Sequence, residues 1–176
     1  MIYTELAQGT IDKIISILVE GGPSELDKAI HEALLSLVIG FNIDQGLLWL
    51  IVADRLTVIG QHSKQNGSGA LKGLSLDAQQ STSLVLNFLS VGNVAVDVTK
   101  ASSDWAALLS VSQDFDSQLV APLRARGIFP GFLSLQSRNE RQWSVDERST
   151  LEKVAALLAV VVSYDFDLRR IEQSAK

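Results

Sequence analysis

Residues Phe129–Glu147 read F-P-G-F-L-S-L-Q-S-R-N-E-R-Q-W-S-V-D-E, and this stretch decides which fold the chain adopts. Leu133 and Leu135 alternate with Ser134 and Gln136, a period of two that is typical of a strand with one buried face. The polar run that follows predicts a solvated connection. A serine and a glutamate then stand at the spacing of a helix capping box. The stretch therefore predicts a strand, a loop and the start of a long helix.

Outward from this stretch, the chain alternates helical and strand patterns. Helices are predicted over 2–19, 24–40, 81–90, from 103 onward and over 144–174, and strands over 46–53, 56–62, 93–99, 118–124 and 128–137. Ser24 is predicted to cap the second helix, Gly40 to close it, and Ser103 or Asp104 to cap the fourth. Asp54-Arg55 and the A-R-G segment at 125–127 predict hairpin turns. Short strands joined by hairpins predict an α+β domain with a central antiparallel sheet sandwiched by helices.

The composition is that of a globular domain and excludes several classes of function. Hydrophobic residues make up 47% and charged residues 20% of the 176-residue chain. A net charge of −5 argues against nucleic-acid binding. Since the chain has no cysteine, disulfides, thiol catalysis and thiolate metal sites are excluded. Its two histidines are too few for an ordinary zinc site, so no metal is expected.

The sequence shows neither a targeting segment nor a membrane span. The N-terminus M-I-Y-T-E-L-A-Q has no basic region and no small-residue cleavage site. The longest apolar run, Ala155–Val162, is far shorter than the roughly 20 residues that cross a bilayer. A cytoplasmic protein that does not contact membranes is expected.

No motif predicts an enzyme. There is no G-x-S-x-G nucleophile elbow and no P-loop. Gly67–Gly69 offers backbone amides to a phosphate, but an ordinary surface loop accounts for it. Asp114 and Asp116 are read as solvated carboxylates. His31 resembles a phosphoacceptor histidine, but without the basic residue and proline that usually follow; it is read as a histidine at the rim of a packed helix.

The last helix carries two apolar stripes, which predicts two packing partners. Leu151, Ala155 and Leu158 belong to the stripe that packs on the domain. The other stripe follows a heptad seam, and the first helix carries a comparable one. A homodimer is therefore predicted through the terminal helices, with an interface formed by Val154, Leu157, Val161, Tyr164, Leu168, Ile171, Ile11, Ile14 and Leu18. The alternative is that the first helix of the same chain covers the seam.

Several segments in the same order resemble a GAF domain over about residues 24–165. They are Leu119–Ser137, Arg141–Leu151, N-V-A-V-D-V at 93–98 and D-Q-G-L-L-W-L at 44–50. The segment R-Q-W-S-V-D-E at 141–147 most resembles bilin-binding GAF domains of phytochromes and related cyanobacterial sensors. Those proteins attach bilin through a cysteine, so its absence here excludes covalent bilin. Gln136 stands where they usually carry a histidine, and the cyclic-nucleotide motif of other GAF domains is poorly matched.

The resemblance implies a regulatory sensor module and a place for its ligand. It divides the chain into an N-terminal helix over 1–22, a GAF domain over 23–165 and a C-terminal helical extension over 166–176. It implies a pocket between the sheet and the middle helices, lined by Asp97, Thr99, Trp105, Phe115, Leu119 and Gln136. The first hypothesis is a dimeric sensor of a two-component signalling protein, such as a sensor histidine kinase, that relays binding to an output domain or partner. The second is a ligand-free scaffold for dimerisation or protein docking.

Overall fold

A five-stranded antiparallel sheet forms the centre of the computed structural model, with strand order β2-β1-β5-β4-β3. The structure describes residues 2–21, 25–65, 71–99 and 105–175. The strands are β1 (Gln45–Val52), β2 (Arg55–Ser63), β3 (Val96–Thr99), β4 (Ser117–Ala125) and β5 (Ile128–Ser137). The helices are α1 (Ile2–Gly21), α2 (Leu26–Phe41), α3 (Ala78–Val91), α4 (Ala106–Ser110) and α5 (Val145–Ser174). The predicted α+β class is confirmed.

Two hairpins join neighbouring strands through residues in the left-handed region. Arg126 and Gly127, with φ of 54° and 74°, turn β4 into β5, as the A-R-G segment predicted. The β1–β2 turn lies at Ala53 and Asp54, with φ of 49° and 65°, one residue earlier than predicted. Both turns have positive φ at their two central residues, which matches the twist of the flanking strands.

The long strand predicted at 128–137 runs through the middle of the sheet and is confirmed. It pairs with β1 on one side and β4 on the other, with Leu133 opposite Leu48 and Ala121. A Cβ at Gly131 would meet the carbonyl oxygen of Trp49 at 1.8 Å, so glycine is required for the close approach of these two strands. The third strand is shorter than predicted, since only Val96–Thr99 of the 93–99 segment pairs.

The ends of the helices confirm one prediction and correct another. Ser144 and Glu147 form the predicted capping box: the Glu147 N–H donates to Ser144 Oγ at 3.1 Å, and the Ser144 N–H donates to Glu147 Oε2 at 3.0 Å. Gly40 does not end α2, which continues to Phe41 and stops at left-handed Asn42. Gly40 instead admits Leu6, whose Cδ2 would lie 2.3 Å from an added Cβ. The predicted caps Ser24, Ser103 and Asp104 lie outside the described residues.

The two faces of the sheet carry separate cores. The outer face, as we name the side covered by α1, α2 and α5, is largely aliphatic; its fully buried members include Leu34, Leu37, Leu48, Leu119, Leu133, Leu135, Leu151 and Leu158. The inner face, on the side of α3 and α4, is rich in aromatic side chains; its members include Trp49, Phe88, Trp105, Val120 and Phe132. Neighbouring strand residues point to opposite faces, so Phe132 and Leu133 enter different cores.

The terminal helices pack within one chain, which corrects part of the predicted dimer seam. Ile14 of α1 and Val154 of α5 are both fully buried in the outer-face core, so neither offers surface to a second subunit. This matches the alternative in which α1 covers the seam. Leu157 packs partly buried against the same core, while Val161 and Ile11 keep some exposure. The side chains of Leu18, Tyr164, Leu168 and Ile171 lie outside what the structure describes. The homodimer itself stays a prediction.

Candidate ligand-binding face

Five aromatic side chains gather on the inner face, with Phe88 of α3 at their centre. Phe88 lies 4.6 Å from Phe132, 4.8 Å from Trp105 in an edge-on contact and 5.3 Å from Phe129, measured between ring centroids. Trp49 stacks on Phe132 at 5.6 Å. Trp49, Phe88 and Phe132 are 0% exposed, whereas Trp105 keeps 6%. We name this group the aromatic cluster; its stacked, tilted and edge-on rings form the apolar core of the inner face.

Beside the aromatic cluster, four buried glutamines from four different strands form a hydrogen-bonded chain. Gln61 Nε2 donates to Gln45 Oε1 at 2.8 Å, and Gln45 Nε2 donates to Gln136 Oε1 at 2.6 Å. Gln136 Nε2 then donates to Gln118 Oε1 at 3.1 Å and to Ser112 Oγ at 2.8 Å. Each glutamine is 6% exposed or less. We name these four residues the amide ladder.

The strand register explains why the amide ladder forms. Gln136 in β5 stands directly opposite Gln45 in β1 and Gln118 in β4. On β5 the ladder residue follows Phe132 and Ser134 at a period of two, so it points to the same face as the aromatic cluster. Ser134 Oγ of β5 donates to Gln118 Oε1 at 3.2 Å, which adds a second contact between β5 and this end of the ladder. The amide ladder therefore crosses the sheet next to the aromatic cluster.

Two of the six predicted ligand residues meet on this face. Trp105 belongs to the aromatic cluster and Gln136 to the amide ladder. Phe115 lies near the same end of the sheet, partly exposed, where the guanidinium carbon of Arg138 lies 5.8 Å from its ring centroid. Its backbone N–H donates to the carbonyl oxygen of Ser112, which connects this segment to the amide ladder.

The other three predicted residues lie elsewhere, so the six do not line one pocket. Leu119 is 0% exposed in the core of the outer face. Asp97 points to the same side, where its Oδ2 lies 3.9 Å from Arg148 Nη2 of α5. Thr99, two residues further along β3, is exposed. The prediction missed that alternate residues of β3 and β4 face opposite sides, with Val98 and Val120 on the inner face.

Asp97 is nonetheless electrostatically unusual. Its burial raises the pKa of the carboxyl group above the ordinary value, and the nearby Arg148 partly opposes this by lowering it. Its Oδ1 atom is buried and has no hydrogen-bond partner among the described residues. Arg148 belongs to the first turns of α5, so this pair joins the edge strand β3 to the terminal helix.

The start of α5 is held by Arg141, which we name the arginine clamp. Arg141 Nη1 donates to the carbonyl oxygen of Phe41 at 3.0 Å, and Nη2 pairs with the carboxylate of Glu147. The guanidinium carbon also lies 4.4 Å from the ring centroid of Trp143. The backbone N–H of Arg141 donates to Ser117 Oγ at 2.8 Å. One residue thus ties the end of α2, the start of β4 and the start of α5 together.

The two histidines form a pair on the outer side of the sheet edge. His31 of α2 and His62 of β2 lie 5.7 Å apart between ring centroids, in an edge-on arrangement. Burial of His62, and secondly the charge of His31, lower the pKa of the His62 imidazole below 6.5. His31, which the sequence placed at the rim of a packed helix, is exposed on α2. Across the described ranges, no three His, Cys, Asp or Glu residues cluster to hold a metal.

The sequence analysis missed Gln45, Gln61 and Gln118, although a signal for them exists. In β1, Gln45 precedes Leu47 and Trp49 at a period of two, and in β4, Gln118 precedes Val120 in the same way. A glutamine in phase with buried apolar residues points into a core. Because buried amides need partners, Gln45 and Gln118, together with Gln136, predict a hydrogen-bonded network.

These features define an α+β domain whose sheet separates an aromatic, amide-lined face from a helical bundle. The GAF-domain family model matches residues 25–162, and the chain belongs to the GAF family. The predicted resemblance is confirmed. None of the curated proteins compared with the chain matches it. Within the described residues, no helix is long and apolar enough to cross a membrane.

Solved structures similar to the chain come from phytochromes and from a phosphoenolpyruvate-protein phosphotransferase. A phycocyanobilin-bound GAF domain from a cyanobacterial phytochrome has a TM-score of 0.76 at 18% identity, covering 90% of this chain and 94% of that one. The chromophore-binding domain of an R. palustris bacteriophytochrome has a TM-score of 0.74 at 10% identity, covering 94% and 63%. The GAF domain of an Acinetobacter phosphoenolpyruvate-protein phosphotransferase has a TM-score of 0.71 at 15% identity, covering 93% and 94%. These identities establish a shared fold.

Proposed function

We propose that this GAF domain is the sensor module of a signal-transduction protein, and that it takes a small ligand on its inner face. The observation that carries this proposal is the amide ladder beside the aromatic cluster. A buried network of four amides is costly unless every group is satisfied, whereas an apolar core would fill the same space without that demand. Recognition of a ligand is a reason for the chain to keep it.

The contacts suggest how binding reaches the terminal helices. Ser117 precedes Gln118 of the amide ladder, and Ser117 Oγ accepts a hydrogen bond from the Arg141 N–H. Arg141 in turn holds the first turn of α5 through Glu147. A small displacement of β4 at Gln118 would therefore move the arginine clamp and shift α5. For this to act as a relay, the ligand must have different affinities for two conformations of the domain that differ in the position of α5.

The proposed setting is a larger regulatory protein, such as a sensor histidine kinase of a two-component system. A phytochrome and a phosphoenolpyruvate-protein phosphotransferase carry GAF domains of this shape, which supports a place within a larger protein. The proposal includes a homodimer through α1 and α5, with Val161, Leu157 and Ile11 as the remaining described interface residues. The double variant Val161→Glu with Leu168→Glu is expected to give a folded monomer by light scattering. An unchanged dimer mass would show that the interface lies elsewhere.

The second candidate function is a ligand-free scaffold for dimerisation or protein docking. It is favoured by the complete burial of Trp49, Phe88 and Phe132, which fill the inner face with the chain's own side chains. Both candidates use the same core and the same terminal helices. They differ in whether the inner face opens to a small molecule.

Ligand-observed NMR with a mixed library of anionic, cationic and neutral aromatic fragments separates the two candidates. The sensor predicts binding of at least one fragment class, lost in Trp105→Ala because Trp105 keeps 6% exposure whereas Trp49, Phe88 and Phe132 have none. Val160→Ala serves as a matched control, since Val160 is 58% exposed on α5, away from this face. Absence of binding by every class would support the scaffold and overturn the sensor.

A further inference from the structure

The amide ladder has a direction, and a backbone group sets it. The Leu71 N–H donates to Gln61 Oε1 at 2.6 Å. A backbone N–H is always a donor, so the Gln61 atom that faces it is the carbonyl oxygen and the other atom is the NH₂ group. Gln61 therefore donates to Gln45, whose oxygen accepts and whose NH₂ group must point onward. The identities of the oxygen and nitrogen atoms are fixed by this sequence of contacts.

The same logic continues to the far end of the ladder. Gln45 donates to Gln136, and Gln136 donates to Gln118 Oε1, which also accepts from Ser134. Reversing the Gln118 amide would set its NH₂ group against the Gln136 NH₂ group, which can only donate. Gln118 Nε2 is therefore the terminal group, and it is a donor. It is buried, in a residue 1% exposed, and finds no acceptor among the described residues.

The inner face has a second buried donor without an acceptor, the indole N–H of Trp49. Trp49 Nε1 is buried without a hydrogen-bond partner in the described ranges, and its residue is 0% exposed. The indole N–H can only donate. Buried polar groups are nearly always paired, and each unpaired donor costs free energy. Two unpaired donors on one face call for a molecule that supplies acceptors.

We propose that the ligand of the inner face is a neutral, planar molecule that presents a carbonyl oxygen, as an amide or lactam does, to Gln118 Nε2. This rests on the proposed sensor function and names its ligand class. The described partners of the amide ladder are amides, hydroxyls and one backbone N–H, and none is charged. A carboxylate or a cation there would be buried without a counter-ion, which is strongly unfavourable. The aromatic cluster supplies the apolar contact for the planar body.

Three probes of nearly the same shape test the ligand class: benzamide, benzoate and benzamidine. Benzamide has a neutral carbonyl acceptor, benzoate an anionic one, and benzamidine is a cation with donors alone. Titrations are followed by the side-chain NH₂ signals of the ¹⁵N-labelled protein, with the Gln118 signal assigned from its loss in Gln118→Met. Benzamide is expected to bind more tightly than either charged analogue and to shift the Gln118 signal most. The Gln136 and Gln45 signals should follow with smaller shifts, because hydrogen bonds in a chain polarise one another.

The variants give the second readout. Gln118→Met keeps the length of the side chain and leaves Gln136 bonded to Ser112, and it is expected to weaken benzamide binding at least about fivefold. Leu119→Met is the matched control, because Leu119 is the next residue and faces the outer core. If Gln118→Met failed to fold, the Gln118 signal would be assigned by triple-resonance NMR instead, and its shift in the wild-type protein would still decide the question.

The outcomes separate this inference from the proposed function. Tighter binding of benzoate or benzamidine on the inner face, with sensitivity to Trp105→Ala, would overturn the neutral-carbonyl class and leave the sensor standing. Benzamide binding that is unchanged in Gln118→Met would equally overturn the role of Gln118. If none of the three probes, and no fragment of any class, binds to this face, both proposals fall.

Discussion

The outer and inner faces of the sheet are built from the same strands but differ in chemistry. The outer face packs leucine, isoleucine and alanine from three helices, and Leu34, Leu48 and Leu133 are each 0% exposed there. The inner face combines five aromatic rings with four buried glutamines, under two shorter helices. An aliphatic core needs only good packing, whereas buried amides also need correctly placed partners. The difference indicates that the inner face is specified for more than stability.

The polar networks of the two faces also end differently. On the outer side, the Glu147 carboxylate pairs with the arginine clamp and accepts from the Ser144 N–H. On the inner side, the amide ladder ends in the unpaired donor Gln118 Nε2. A satisfied network fixes the position of a helix, while an open-ended one leaves a group for a ligand. Under the proposed sensor function, the inner face would receive the ligand and the outer face would transmit its binding.

The largest effect is expected from removing the arginine clamp. Arg141→Met removes the guanidinium that pairs with the buried Glu147 carboxylate, and we expect the unfolding free energy to fall by about 3 kcal/mol, the lower end for a broken buried pair. The value is at the lower end because the Arg141 side chain keeps 23% exposure. Urea denaturation measures it.

Arg148→Met is the matched control for the arginine clamp. Its ion pair with Asp97 spans 3.9 Å and its side chain is 38% exposed, so the loss should be about 1 kcal/mol or less. Equal losses in the two variants would show that the clamp is no stronger than a surface ion pair. Equal losses would also contradict the view that the arginine clamp fixes the position of α5 more firmly than a surface ion pair could.

The sequence predicted the fold well because its strongest signals are local. The alternation through Leu133 and Leu135 and the capping box at Ser144 and Glu147 each depend on residues a few positions apart, and both are confirmed. The end of α2 was predicted one residue too early because Gly40 is needed for a tertiary packing contact and does not cap the helix. It makes room for Leu6 of another helix, and a helix pattern carries no sign of that contact.

The candidate site was predicted less well, because it depends on register across strands. Gln136 was named, but its partners Gln45 and Gln118 stand opposite it only once β1, β5 and β4 pair at the observed register. Leu119 was assigned to the pocket although strand alternation places it on the outer face. In the same way, the apolar seam through Val154 was read as an intersubunit surface. Only the packing of α1 in the same chain distinguishes the two interpretations.

The next effect concerns the middle of the amide ladder. Gln136→Met removes the acceptor of Gln45 Nε2 and the donor to Ser112, leaving buried polar groups unpaired. We expect a loss of about 2 kcal/mol in unfolding free energy, measured by urea denaturation. Gln118→Met is the comparison: it removes the acceptor of Gln136 Nε2 and Ser134 Oγ, but it also removes the unpaired Nε2 donor and leaves Gln136 bonded to Ser112. Its loss should therefore be smaller, about 1 kcal/mol. A larger loss in Gln118→Met than in Gln136→Met would contradict the direction assigned to the ladder.

The smallest effect is a pH dependence at the sheet edge, on the outer side. Because burial lowers the pKa of His62 below its ordinary value, the unfolded chain binds more protons than the folded one between the folded pKa and 6.5. Stability should therefore fall as the pH drops through this window and level off below the folded pKa.

His62→Gln should flatten this pH dependence of the unfolding free energy, measured by urea titrations between neutral and acidic pH. His31→Gln should narrow the window without abolishing it, because the charge of His31 is the second cause of the lowered pKa and burial remains. A wild-type protein that gains stability on acidification through this range, with the gain lost in His62→Gln, would show that this imidazole is stabilised in its charged form.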